Sequence, residues 1–134
     1  MQWDDSEYAG FSDAEPWLPL ETEYRKRNVQ TEKQNKTSFL NLYKSILKLR
    51  NTKTSLSNGK YIKYFCKNPD IFGYFRRNKL EETFILANFS KEAQETELPN
   101  SNWNILLSTG LDRVEKIEKS TLTLRPFEAV ILGY

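Results

Sequence analysis

The chain has 134 residues, with 20 Lys and Arg against 18 Asp and Glu for a net charge of +2, and 38% hydrophobic and 13% aromatic residues. That length fits one ordinary domain or two unequal pieces, the interspersed charges offer no basic face to nucleic acid, and the apolar share is that of a folding chain. With no His and one Cys, Ser-His-Asp and Cys-His chemistry, an internal disulfide and a zinc site are all excluded, which leaves only carboxylates for catalysis.

Residues 1 to about 36 show no sustained period. Gly10, Pro16 and Pro19 punctuate them, Asp4, Asp5 and Glu7 form an acidic cluster, and TEYRKRNVQTEKQNK is almost wholly polar. This reads as a long loop, and long loops in compact domains are functional or disordered. The acids read as loop-capping or solvated carboxylates, because a loop neither holds two of them across a substrate nor raises a pKa by burial.

From Thr37 the spacing of Phe39, Leu42, Tyr43, Ile46, Leu47 and Leu49 predicts an amphipathic helix to about Asn51. Thr37 or Ser38 is its expected N-cap, Lys48 and Arg50 complement its C-terminal dipole, and its wide apolar face expects a substantial partner.

Beyond Gly59 the period becomes two. KYIKYFC, DIFGYFRR, ETFILANFS, AQETELP, NWNILLS, STLTLRP and FEAVILGY read as seven short strands. They predict a mainly β fold, an antiparallel β-sandwich preceded by a long loop and one helix. Arg76-Arg77-Asn78-Lys79 reads as a hairpin turn, Arg125-Pro126-Phe127 as a bend between the last two strands, and Cys66 as an inert core residue. The triplets Asn35-Lys36-Thr37 and Asn88-Phe89-Ser90 match the glycosylation pattern and read as chance occurrences. No apolar stretch approaches the roughly 20 residues that span a bilayer. The lone Cys and the lack of a basic-then-apolar leader are expected of a cytoplasmic protein.

Several stretches carry a resemblance. MQWDDSEYAGFS followed by PWLPL, then Tyr24 and Asn28-Val29 in TEYRKRNV, then a helix ending LKLRN, resemble the end of the catalytic barrel in glycoside hydrolase family 13, in its α-glucosidase and oligo-1,6-glucosidase group. FILANFS and LTLRPFEAVIL are similar to strands of the small C-terminal β domain of those enzymes. The heavy chains of amino-acid transporters share this loop without being enzymes.

The resemblance implies that residues 1–55 are the loop after the eighth strand of a (β/α)8 barrel together with its eighth helix, and that residues 56–134 are the C-terminal sandwich. It implies retaining hydrolysis of α-glucosidic bonds by two carboxyl groups about 5 to 5.5 Å apart. Those groups lie on earlier barrel strands in the family, so no catalytic residue, metal ligand or cofactor is expected here. Gln2, Trp3 and Asp4 are expected to line or support the substrate site, and Phe11 and Trp17 to anchor the loop. The expected partners are a catalytic barrel in the same or a separate chain, small α-glucosides bound by the complete enzyme, and a second copy through the helix face. Neither nucleic acid nor membrane is expected. Two alternatives stay open: a stand-alone carbohydrate-binding or interaction module, and a complementing subunit of a split enzyme.

Overall fold

Alternating apolar residues beyond Gly59 form strands whose inward members meet in one core. In the computed structural model, which describes residues 1–134, these are β1 (Lys60–Tyr64), β2 (Ile71–Arg77), β3 (Glu82–Asn88), β4 (Gln94–Glu97), β5 (Trp103–Ser108), β6 (Lys116–Ile117), β7 (Thr121–Leu124) and β8 (Ala129–Gly133). Every pairing is antiparallel, in a six-stranded sheet ordered β1-β2-β3-β8-β5-β6 and a two-stranded sheet of β4 and β7. Phe75 of β2, Phe84 and Leu86 of β3 and Leu132 of β8 share a buried cluster with Leu122 and Leu124 of β7, so the two sheets sandwich one core.

Seven strands are expected from the sequence, and the structure has eight. The extra one, β6, is too short to show a period; it forms because Trp103 and Asn104 of β5 pair with Ile117 and Lys116. Within β5 the register against β8 shifts between Ile105 and Leu107. This irregularity lets Trp103, Ile105 and Ser108 all be buried although their spacing breaks the period of two.

Aromatic rings dominate the core. Phe75 stacks on Phe84 with centroids 4.3 Å apart, Tyr64 meets both rings edge-on, and Trp103 stacks on Tyr134 at 4.3 Å. Full burial of a ring such as Phe84 contributes about 2–3 kcal/mol. Cys66 packs against this cluster, where burial pushes its thiol pKa up and makes it a poor nucleophile.

Two buried polar residues fasten the loops. Asn88 ends β3, donates from its side-chain amide to the carbonyls of Glu92 (2.8 Å) and Arg125 (2.9 Å), and accepts from Ser90 N (2.9 Å). The Asn88-Phe89-Ser90 triplet is therefore a structural clamp, with its amide nitrogen already engaged. Glu128, only 3% exposed, accepts from Arg125 N (2.8 Å), Arg125 Nη2 (2.7 Å) and Arg113 Nη1 (3.0 Å). These bonds hold the expected bend after β7, where Phe127 adopts φ of 53°. Arg125 also forks onto both oxygens of Asp112. The hairpin turn expected on Arg76–Lys79 lies two residues later, on Asn78–Glu81, because Arg76 and Arg77 extend β2 and pair with Thr83 and Glu82; there Asn78 Oδ1 accepts from the N–H groups of Leu80 and Glu81.

The chain divides into two compact units, Met1–Lys44 and Ser45–Tyr134, with the division inside a helix. The first 36 residues are not wholly loop: a 3-10 turn occupies Glu7–Gly10, and α1 occupies Val29–Gln34. The sequence hides α1 because it buries no residue and so has no apolar period. The predicted helix is α2 (Phe39–Thr52), and Ser38 Oγ accepts from Asn41 N as its N-cap. A short α3 (Thr54–Asn58), also unexpected, buries Ser55 and Leu56 beside β2 and β3. Glu81 Oε1 accepts from Ser55 N and Thr54 Oγ1, and Ser55 bonds Thr83 in β3.

Replacing the clamp residue, Asn88→Ala, leaves buried carbonyls unpaired and is expected to cost about 2 kcal/mol in urea denaturation. A loss under about 0.5 kcal/mol would contradict the clamp. The carboxyl network has a pH signature as well. Burial alone would raise the Glu128 pKa, but hydrogen bonds and charge from Arg125 and Arg113 outweigh it and hold the carboxyl below its usual range. Asp112 is held at about 2, chiefly by Arg125. Both folded pKa values lie below the unfolded values of about 4, so their stabilisation is present above the unfolded pKa and disappears as pH falls through the folded pKa. Stability is expected to drop from about pH 5 to pH 2, and Glu128→Gln should flatten that slope; an unchanged slope would remove Glu128 from the account.

Candidate functional site

The loop that the sequence singles out is built by its own backbone. Trp3 N donates to Ala9 O (2.8 Å) and Ala9 N to Ser6 O (3.0 Å), which closes residues 3–9 on themselves. Closing so tight a ring takes left-handed backbone: Tyr8, Ala9 and Gly10 have φ of 57°, 55° and 68° in succession. The first two lack glycine's freedom, and left-handed backbone costs an ordinary residue roughly 1–2 kcal/mol. Surrounding structure must over-determine such a turn, and here Ala9 is fully buried within it.

Gly10 is required on two grounds. Its φ is positive, and a Cβ there would come within 2.5 Å of the Asp4 carboxylate. Asp4 thus lies against the turn that closes its own loop. It accepts from Ser6 N at 3.0 Å and from the Ser6 hydroxyl, and the Ser6 bonds hold its pKa below the ordinary value. Asp5 and Glu7 are exposed, and the charge of Glu7 raises the pKa of the neighbouring Tyr8 phenol. An ionised, hydrogen-bonded Asp4 can orient or accept a hydrogen bond; it is not tuned to give up a proton near neutral pH.

Gln2, Trp3 and Asp4 are brought together at the start of this loop, Gln2 and Asp4 half-buried and Trp3 48% exposed. Gln2 lines two open clefts. One, of about 540 Å³, is bordered by Phe11, Ser12, Trp17 and Leu20; the other, of about 410 Å³, by Arg27, Val29, Glu32, Phe39 and Leu40. Phe11 is 44% exposed and Trp17 90% exposed, so neither is buried by this chain's own residues. No three His, Cys, Asp or Glu side chains converge in a way that would hold a metal ion, and no helix is long and apolar enough to cross a membrane.

The sequence does not reveal the Asp4–Gly10 contact or the left-handed turn: Gly10 marks a break in pattern, but Tyr8 and Ala9 carry no local preference for positive φ. It also misses α1, whose signal is the polar pair Asn28 and Thr31, one capping the other.

The family model described as the α-amylase catalytic domain matches residues 1–59, and that described as the α-amylase SusG C-terminal domain matches residues 71–131. The chain is 36% identical over 133 residues to the oligo-1,6-glucosidase of Bacillus cereus, covering 98% of this chain and 24% of that protein. It is 27% identical over 136 residues to the trehalose-6-phosphate hydrolase of Bacillus subtilis, again over 98% of this chain and 24% of that protein. Among solved structures, isomaltulose synthase from Klebsiella sp. LX3 superposes with a TM-score of 0.86 at 25% identity, covering 98% of this chain and 24% of that one. The trehalulose synthase MutB of Pseudomonas mesoacidophila MX-45 superposes with a TM-score of 0.84 at 27% identity and the same coverage. The chain therefore spans about a quarter of the length of the relatives it matches. With residues 1–59 matching the α-amylase catalytic domain and residues 71–131 the α-amylase SusG C-terminal domain, the chain is similar over nearly its whole length to a C-terminal fragment of glycoside hydrolase family 13 enzymes.

Proposed function

We propose that this chain completes an α-glucosidase that hydrolyses small α-glucosides with retention of configuration. Residues 1–55 supply the last barrel loop and helix, and residues 56–134 the C-terminal β domain. The catalytic carboxylates belong to the remaining three quarters of such an enzyme, so the isolated chain is inactive. The observation that carries this reading is the strained, self-closed loop that presents Gln2, Trp3 and Asp4 within the stretch matched to the catalytic domain. Strain of this kind clusters where geometry matters to function. In the complete enzyme Gln2, Trp3 and Asp4 line or support the sugar site, while Phe11 and Trp17 anchor the loop to the rest of the barrel. The half-buried single Cys suits a reducing compartment, and we assign the protein to the cytoplasm.

Support also comes from α2. Phe39, Tyr43 and Leu47, spaced four apart along one helix face, are 85%, 66% and 46% exposed. A barrel helix has such a stripe because the rest of the barrel covers it. Left open, the stripe is a surface through which two copies of the isolated chain associate.

One observation favours a second reading, a carbohydrate-binding or interaction module. Tyr61, Tyr74 and Phe72 form a row of partly exposed rings on β1 and β2, with successive centroids 5.1 and 5.7 Å apart. Aromatic faces of this kind stack on sugars or on a protein partner.

Three outcomes are expected. The purified chain releases no aryl group from an aryl α-glucoside, and mixing it with the catalytic portion of an oligo-1,6-glucosidase lacking the matched segment restores turnover. Hydrolysis by the chain alone, abolished by Asp4→Asn, would sink the proposal. In sedimentation velocity the chain self-associates as concentration rises, and Phe39→Ser with Tyr43→Ser shifts it towards monomer; a concentration-independent monomer contradicts an open stripe. Titration with maltose or isomaltose leaves the NMR signals of Tyr61 and Tyr74 unmoved, whereas saturable shifts lost in Tyr74→Ala would establish the second reading.

A further inference from the structure

We propose that Asn28 is the positioning residue for the Gln2–Asp4 segment, acting through α1. This rests on the reading above that the segment belongs to a sugar site, and it names the part of the fold that sets its geometry. Asn28 is 4% exposed and uses all the hydrogen-bonding capacity of its amide. Its Nδ2 donates to the carbonyls of Tyr24 (3.0 Å) and Arg25 (3.2 Å), and its Oδ1 accepts from Thr31 N (2.9 Å) and Thr31 Oγ1 (3.0 Å). One side chain thus closes the turn that precedes α1 and caps the helix itself.

The consequence falls on the next two residues. Val29 and Gln30 begin α1, and their N–H groups, which have no partner inside the helix, donate to Gln2 O (3.0 Å) and Trp3 O (2.9 Å). The peptide planes on either side of Trp3 are therefore set by the first turn of α1, and the directions in which Gln2, Trp3 and Asp4 project follow from those planes. The other end of α1 is tied down as well. Glu32 O accepts from Ser38 Oγ (2.6 Å) and Asn41 Nδ2 (3.2 Å), and Asn41 Nδ2 also reaches Asn35 O (2.7 Å). A six-residue polar helix has little stability of its own, so these end contacts decide whether it stays formed. Asn28 is the contact at the end that faces the loop.

The test begins with amide hydrogen exchange in the 134-residue chain. The amides of Val29 and Gln30 are expected to be protected. Asn28→Ala should accelerate both by about tenfold while leaving Leu86 and Leu132 in the sandwich within about twofold. Asn28→Asp, which keeps the acceptor for Thr31 but loses both donors, should fall between. No protection in the unsubstituted chain, no acceleration in Asn28→Ala, or equal acceleration in the sandwich would each overturn the proposal. The second arm uses the chain combined with the catalytic portion of an oligo-1,6-glucosidase. There Asn28→Ala should raise KM for a short α-glucoside about tenfold with kcat changed less than about threefold, and Asn28→Asp should recover part of the loss. Loosened amides with unchanged KM would overturn the role at the sugar site. If the unsubstituted combination shows no turnover, the enzymatic reading fails, while the exchange data still decide whether Asn28 positions the segment.

Discussion

The sandwich depends on the pairing of β3 with β8. Thr83 to Ala87 run antiparallel to Ala129 to Gly133, and this one ladder joins β1-β2-β3 to β8-β5-β6 in the six-stranded sheet. It brings the end of the chain back to the sheet's centre, a long-range closure whose entropy must be offset by burial. Phe84, Leu86, Val130 and Leu132 provide that burial, each 1% exposed or less. Asn88 and Glu128 lie at the same end of the ladder, and Asn88 N donates to Glu128 O at 2.9 Å. The buried polar groups thus sit where the ladder stops and the loops begin, and they fix how β7 turns into β8.

The Met1–Lys44 unit is held together by different forces. Of its residues only Ala9, Asn28 and Ser38 are buried. Hydrogen bonds rather than an apolar core organise it: the ring closed by Trp3 and Ala9, the cap on α1, and the bonds from Ser38 and Asn41 to the end of α1. Water competes for such bonds, so each contributes only about 1 kcal/mol net. A unit built this way leaves Trp17, Phe39 and Tyr43 open to solvent.

Strain and covering surface bear on the same question. The left-handed turn at Tyr8, Ala9 and Gly10 is costly, and the loop closes because Ala9 is enclosed and its backbone bonds are made. The acidic residues beside it separate by environment: Asp4 is engaged by Ser6, whereas Asp5 and Glu7 face solvent. None has the burial that would poise a carboxylic acid for proton transfer.

The sequence by itself determined the elements whose signal is periodic burial. The run from Phe39 to Leu49 repeats every three to four residues and forms α2, and Thr83 to Asn88 alternates and forms β3. It also carried the family, because MQWDDSEYAGFS and LTLRPFEAVIL are distinctive strings whose meaning does not depend on folding. What only the tertiary structure decided are features made by contacts between distant residues. β6 exists because β5 pairs with it, α1 because Asn28 and Asn41 hold its ends, and α3 because Glu81 and Thr83 meet Ser55. Asn88 looks like a chance glycosylation triplet until Glu92 and Arg125 appear beside it. Of the loop, the string offered Gln2, Trp3 and Asp4 as candidates but not the turn that closes on them. A left-handed backbone at Tyr8 and Ala9 runs against local preference and persists only because the surrounding fold requires it.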